Sequence, residues 1–119
     1  MQRLDEAIMG LEQALTHLPA QQPWQHLVRQ RLSGVDEALT AERAHPGAEL
    51  LNARAGHLHR ERMRLHARLT AIGGRISEAS AVDPLRQELL RLLGDIQHHH
   101  QRVNDLAWDA LAMDVGGSE

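Results

Sequence analysis

Four runs of aliphatic residues recur at alternating steps of four and three, and each is closed by a proline or glycine break. That spacing puts every run on one side of a helix, so the chain must fold by burying four helical stripes together. Leu4, Ile8, Leu11, Leu15 and Leu18 form the first stripe, which Pro19 closes, and the spacing predicts a helix over about 2–18. Gln21, Gln22 and Pro23 make a polar connector. Trp24, Val28, Leu32, Val35 and Leu39 then supply a second helix, expected to end near Ala44 before the break His45, Pro46, Gly47. Leu51, Ala55, Leu58, Arg62, Leu65, Leu69, Ile72 and Ile76 keep the spacing through a longer third helix. Gly73 and Gly74 each lower helix propensity by roughly 1 kcal/mol, so fraying is expected near Arg75. Ser80 to Pro84 is the last break, with Asp83 placed to cap and Pro84 to open a fourth helix. Its stripe runs through Leu85, Leu89, Leu92, Ile96, His99, Val103, Leu106, Ala110 and Met113.

Short connections make consecutive helices antiparallel neighbours. The expected fold is therefore all-α, an antiparallel up-down four-helix bundle with two shorter and two longer helices, coiled-coil-like in its spacing. At 119 residues the chain has room for one core, assigned to residues 1–113 with a short tail over 114–119. With 42% hydrophobic and 24% charged residues it is not a disordered chain. It has no cysteine, which removes disulfides, thiolate metal sites and thiol nucleophiles. No apolar run approaches the roughly 20 residues that cross a bilayer, and residues 1–18 do not read as a secretion signal. The expected setting is the cytoplasm, with no membrane partner. The longer helices overhang the shorter ones, and an overhanging apolar seam calls for a second copy, so a homodimer is expected.

The third helix and its approach carry six arginines against Glu49 and Glu61, whereas the chain from Asp83 onward carries three arginines against seven acids. Mirroring residues about the turn pairs Arg54 with Asp105, Arg64 with Asp95 and His59 with His100, a charge zipper that sets register. Arg60, Arg64 and Arg68 also make an i, i+4 ridge that could meet a phosphate or a protein partner. The overall net charge of −3 and the lack of interleaved aromatics argue against nucleic acid.

Nine histidines are the least ordinary feature. His98, His99 and His100 step round the helix by 100°, so they cannot share one ion. His99 falls on the apolar seam, His100 beside it and His98 toward solvent, while Arg62 falls on the facing seam with His59 and His66 at its flanks. This predicts a polar core layer of His59, Arg62, His66 and His99, needing partners among Asp95, Asp36 and Glu61. A second reading makes the same region a metal centre for iron, manganese or zinc. His57 to Glu61 is H-x-x-x-E and His100 to Asp105 is H-x-x-x-x-D, spacings that resemble two ligand segments of hemerythrin-like bundles. Glu42 and His45 give one E-x-x-H, similar to ferritin-like carboxylate sites. The resemblance implies His57, Glu61, His100 and Asp105 as ligands, although Arg62 beside them repels a cation.

Ser33, Ser77, Ser80 and Ser118 have no glycine elbow, and no phosphate-cradling loop precedes a helix, so no enzyme is expected. Trp108 lies off the seam on a face shared with Asn104 and Ala112, which marks it as an interface residue. Trp24 is placed to plug one end of the core. The segments HLHRERMRLHARLTAIG (His57 to Gly73) and DIQHHHQRVNDLAWDALAMDVGGSE (Asp95 to Glu119) resemble parts of small uncharacterised α-helical proteins of high-GC Gram-positive bacteria. That resemblance implies a helical fold in a bacterial cytosol and no activity. The first functional expectation is thus a self-associating helical scaffold or protein-interaction module, and the alternative is a metal-binding bundle.

Overall fold

Apolar residues three and four apart lie on one helix face, and each of the four stripes becomes a helix in the computed structural model, which describes residues 3–18, 23–42 and 52–117. The helices are α1 (Leu4–Thr16), α2 (Trp24–Ala41), α3 (Asn52–Ile76) and α4 (Asp83–Gly117), with no strand among the described residues. Asp5 and Glu6 sit in the first turn of α1, where carboxylates complement the helix dipole. Leu18 leaves the helix but still packs against the core. Trp24 opens α2 and also packs on the core, as an end plug should.

Three boundaries depart from the expectation. α2 stops at Ala41 rather than near Ala44, because Glu42 adopts an extended backbone that turns the chain off the helix. The expected break at His45, Pro46 and Gly47 lies outside the described residues, as do Pro19 and the Gln21, Gln22 connector. α3, by contrast, runs through both glycines and ends at Ile76, beside the end expected near Arg75. Ile72 and Ile76 are buried on either side of the glycine pair, so tertiary burial outweighs the local cost of roughly 2 kcal/mol. Asp83 is the first residue of α4 rather than its cap: the Arg86 N–H closes on the Val82 carbonyl at 2.7 Å, and the Asp83 carboxylate instead takes the Arg86 guanidinium. α4 also passes its expected end at Met113 and continues to Gly117.

α4 has 35 residues and α1 only 13, which at 1.5 Å per residue is roughly 50 Å against 20 Å. The molecule measures 61 × 21 × 20 Å. Its main core is built from α1, α2, the Leu65 to Ile76 part of α3 and the Leu85 to Ile96 part of α4. Beyond α1 the long pair projects with a small core of its own, Leu58, Val103 and Leu106 with Ala55 against them. The two cores are separated along α4 by His99 and along α3 by Glu61.

Pairs across the α3 to α4 seam run in opposite order: Arg75 to Glu88 at 2.8 Å, Arg68 to Asp95 at 2.8 Å, and Arg54 to Asp109. The zipper exists, but one helical turn away from the mirrored pairing. Arg54 meets Asp109 instead of Asp105, and Asp95 takes Arg68 instead of Arg64. The mirror assumed a loop divided evenly between the helices, whereas the offset is set by how buried Leu65, Leu69 and Ile72 interleave with Leu89, Leu92 and Ile96.

Candidate functional site

The boundary between the two cores is polar. His99 has no exposed surface, and it is the buried polar or charged residue among the described ones. Its position on the seam follows from spacing alone, since it lies three residues after Ile96 and four before Val103. Its partners come from two other helices. His99 Nδ1 lies 2.6 Å from Glu61 Oε1 on α3, and Nε2 lies 2.9 Å from Glu42 Oε1 at the end of α2. An ionised carboxylate can only accept, so each ring nitrogen must carry a proton and the ring is an imidazolium. Glu42 Oε2 accepts a further bond from His100 Nδ1 at 2.9 Å. Glu61 Oε1 is also 2.8 Å from Arg102. The Arg62 guanidinium stands 3.9 Å from Glu42, with a buried Nε that has no hydrogen-bond partner among the described residues.

The electrostatics agree with the geometry. Burial alone would push the His99 pKa down, but the hydrogen bonds and charges of Glu42 and Glu61 outweigh it and hold the imidazolium above its ordinary range. Burial would likewise raise both carboxyls, yet His99 and His100 hold Glu42 below its ordinary value, and Arg102 with His99 does the same for Glu61. Two carboxylates thus face an imidazolium and two guanidinium groups, so each carboxylate is neutralised by side chains of the layer itself.

The expected polar layer is met in part. His99 is at its centre, and Arg62 borders it. His66 pairs with Asp36 on α2 at 2.6 Å, as one of the nearest candidates, one turn further into the main bundle. His59 is a correction: it is exposed, because it stands one 100° step round the helix from Leu58, which is buried against Val103 and Leu106. Glu42 and Arg102 are members that the expected layer lacked, and His100, which spacing placed beside the seam, joins it through Glu42. Glu42 reaches the layer only because α2 ends one residue earlier, a signal absent from apolar periodicity. Gln97 and the Glu12 carboxylate add a surface bond at 3.3 Å beside the layer, tying α1 to α4.

The four residues expected as metal ligands do not converge. Glu61 is engaged by His99 and Arg102, and His100 by Glu42, while exposed His57 and Asp105 line a separate cleft of about 280 Å³ with Arg54, Leu58 and Arg102. Among the described residues no three His, Asp or Glu side chains form a group able to hold a metal ion. His45, the other half of the E-x-x-H pair, lies outside the described residues. The arginine ridge is divided: Arg68 is spent on Asp95, Arg60 is exposed, and Arg64 is exposed in a groove of about 420 Å³ that also contains Glu61, Asp95, His98 and Arg102. Acidic groups within that groove oppose an anion as much as the arginines attract it.

Trp108 is 71% exposed. Nine residues beyond His99, it lies half a turn round the helix from the buried seam, and Leu111 beside it is 40% exposed. Large apolar side chains in water on a projecting helix pair are the second candidate for function. No helix among the described residues is long and apolar enough to cross a membrane. Comparison of the chain with protein-family models, with curated proteins and with solved structures found no match.

Proposed function

We propose that the protein is a non-enzymatic helical scaffold, an up-down-up-down antiparallel bundle that self-associates through its projecting long helices in a cytoplasmic setting. The observation that carries this reading is the 71% exposure of Trp108 on the part of α4 that α1 does not reach. A Trp exposed to water forfeits roughly 2 kcal/mol or more of apolar burial that a partner surface would recover. The small distal core of Leu58, Val103 and Leu106 supports the same reading, because a bare helix pair buries little unless something covers it. The buried His99 layer then acts as a register pin, matching polar with polar so that the long helices cannot slide by a turn. Such sliding would place an imidazolium against leucines.

Sedimentation equilibrium or light scattering over a wide concentration range tests the proposal. Self-association is expected, and Trp108→Ala should weaken it at least tenfold while leaving helicity unchanged. A chain that remains monomeric at every accessible concentration removes the proposal.

A further inference from the structure

The outer face of α4 carries a second repeat, out of phase with the buried one. Leu90, Gly94, Gln97, Gln101, Asn104, Trp108 and Leu111 follow steps of four, three, four, three, four and three. The steps are those of a heptad seam, with Leu90, Trp108 and Leu111 as its large apolar members. All seven are uncharged, although α4 has charged residues on either side of them, and all but half-buried Gly94 are exposed. The main core takes Leu89, Leu92, Leu93 and Ile96 of this helix, and of the seam's side chains Gln97 alone makes a hydrogen bond among the described residues, to Glu12 of α1.

The flanking charges are arranged by polarity. Arg91 and His98 lie toward the start of the seam, and Asp105 and Asp109 toward its end, on the same flank. His98 and Asp105 make no ion pair among the described residues, and neither does Arg91. Two parallel copies of α4 would set like over like. Two antiparallel copies related by a two-fold axis set the basic end of each against the acidic end of the other. Shape selects the same arrangement. With the axis beside Gln101, position 108 of one copy meets position 94 of the other, so the largest side chain of the seam faces the one residue with none. A Cβ built on Gly94 would meet no atom within 4 Å, so the hollow is open.

We infer that a second copy of this chain docks antiparallel on the outer face of α4, with Trp108 of each copy over Gly94 of the other and Gln101 at the two-fold axis. The inference rests on the self-association reading and adds the face, the direction and the register. The chain has no cysteine, so single-cysteine variants report proximity directly. Gln101→Cys should form a disulfide-linked dimer under mild oxidation. Leu90→Cys should not, because in this register the two copies of residue 90 lie roughly 33 Å apart along the axis. Gly94→Leu fills the hollow and should weaken association at least tenfold, with helicity by circular dichroism retained.

The outcomes separate the two proposals. Association by light scattering with crosslinking of Gln101→Cys alone supports the docking mode. Association in which Leu90→Cys crosslinks as well as Gln101→Cys indicates parallel helices and overturns it, leaving self-association intact. Association in which neither variant crosslinks, or in which Gly94→Leu binds as tightly as the natural chain, also overturns it. A monomer throughout overturns both.

Discussion

His99 and Glu42 are 57 positions apart in the chain, yet the imidazolium Nε2–H of one meets the carboxylate of the other at 2.9 Å with almost no water access to either. The contact ties the end of α2 to the middle of α4. It makes the junction between the two apolar cores the place where pH and stability are coupled.

The coupling has a definite sign. His99 is raised above its ordinary value near 6.5, so its contribution is complete below that value and is lost as pH rises through the higher folded-state pKa. Glu42 and Glu61 are lowered from 4.5, so theirs is complete above that value and is lost as pH falls through the lower folded-state pKa. Both contributions are whole only between about 4.5 and 6.5. Urea midpoints measured from pH 3 to 9 should be highest in that mildly acidic window and decline on both sides. In a His99→Leu variant the alkaline decline should shrink; if it persists unchanged, another group controls it.

Removing one carboxylate should not cost the same as removing the other. Glu42 has 8% of its side chain exposed and serves both His99 and His100, whereas Glu61 is 17% exposed and holds Arg102, whose own side chain is about half in water. Glu42→Ala is expected to lose about 3 kcal/mol, since it strands a buried cation, and Glu61→Ala about 1 to 2 kcal/mol. Equilibrium denaturation of the two variants checks the order.

The glycine pair in the last turn of α3 is an invitation to stabilise that helix. A Cβ at Gly74 would meet no atom within 4 Å, and one at Gly73 would make an ordinary contact of 3.6 Å with Leu32. Gly74→Ala should therefore raise stability by about 0.5 to 1 kcal/mol, with Gly73→Ala giving a similar or smaller gain. A loss in both would mean that α3 needs to bend at this pair in solution.

Metal should have little purchase on the histidine layer, because its carboxylates are already neutralised and Arg62 and Arg102 border it. Protein purified without an affinity tag should carry zinc, iron and manganese well below one equivalent, and chelator should leave the melting temperature unchanged. One equivalent of any of these, with a fall of several degrees on chelation, would restore the metal-centre reading.

The helices, the apolar stripes, the burial of His99 and the outward position of Trp108 were all legible in the amino-acid order, because each depends on residues three or four apart on one rod. The Arg to acid complementarity of α3 and α4 was legible too, but one turn out of register. The partners of His99 were half legible: Glu61 could be named from its own helix, while Glu42 could not. Local spacing decides which side of a helix is apolar. Axial offset, and the direction in which a chain leaves a helix, are decided by how separate rods interlock and by where their carboxylates can reach a buried charge. Those are properties of several elements at once, and only the tertiary structure holds them.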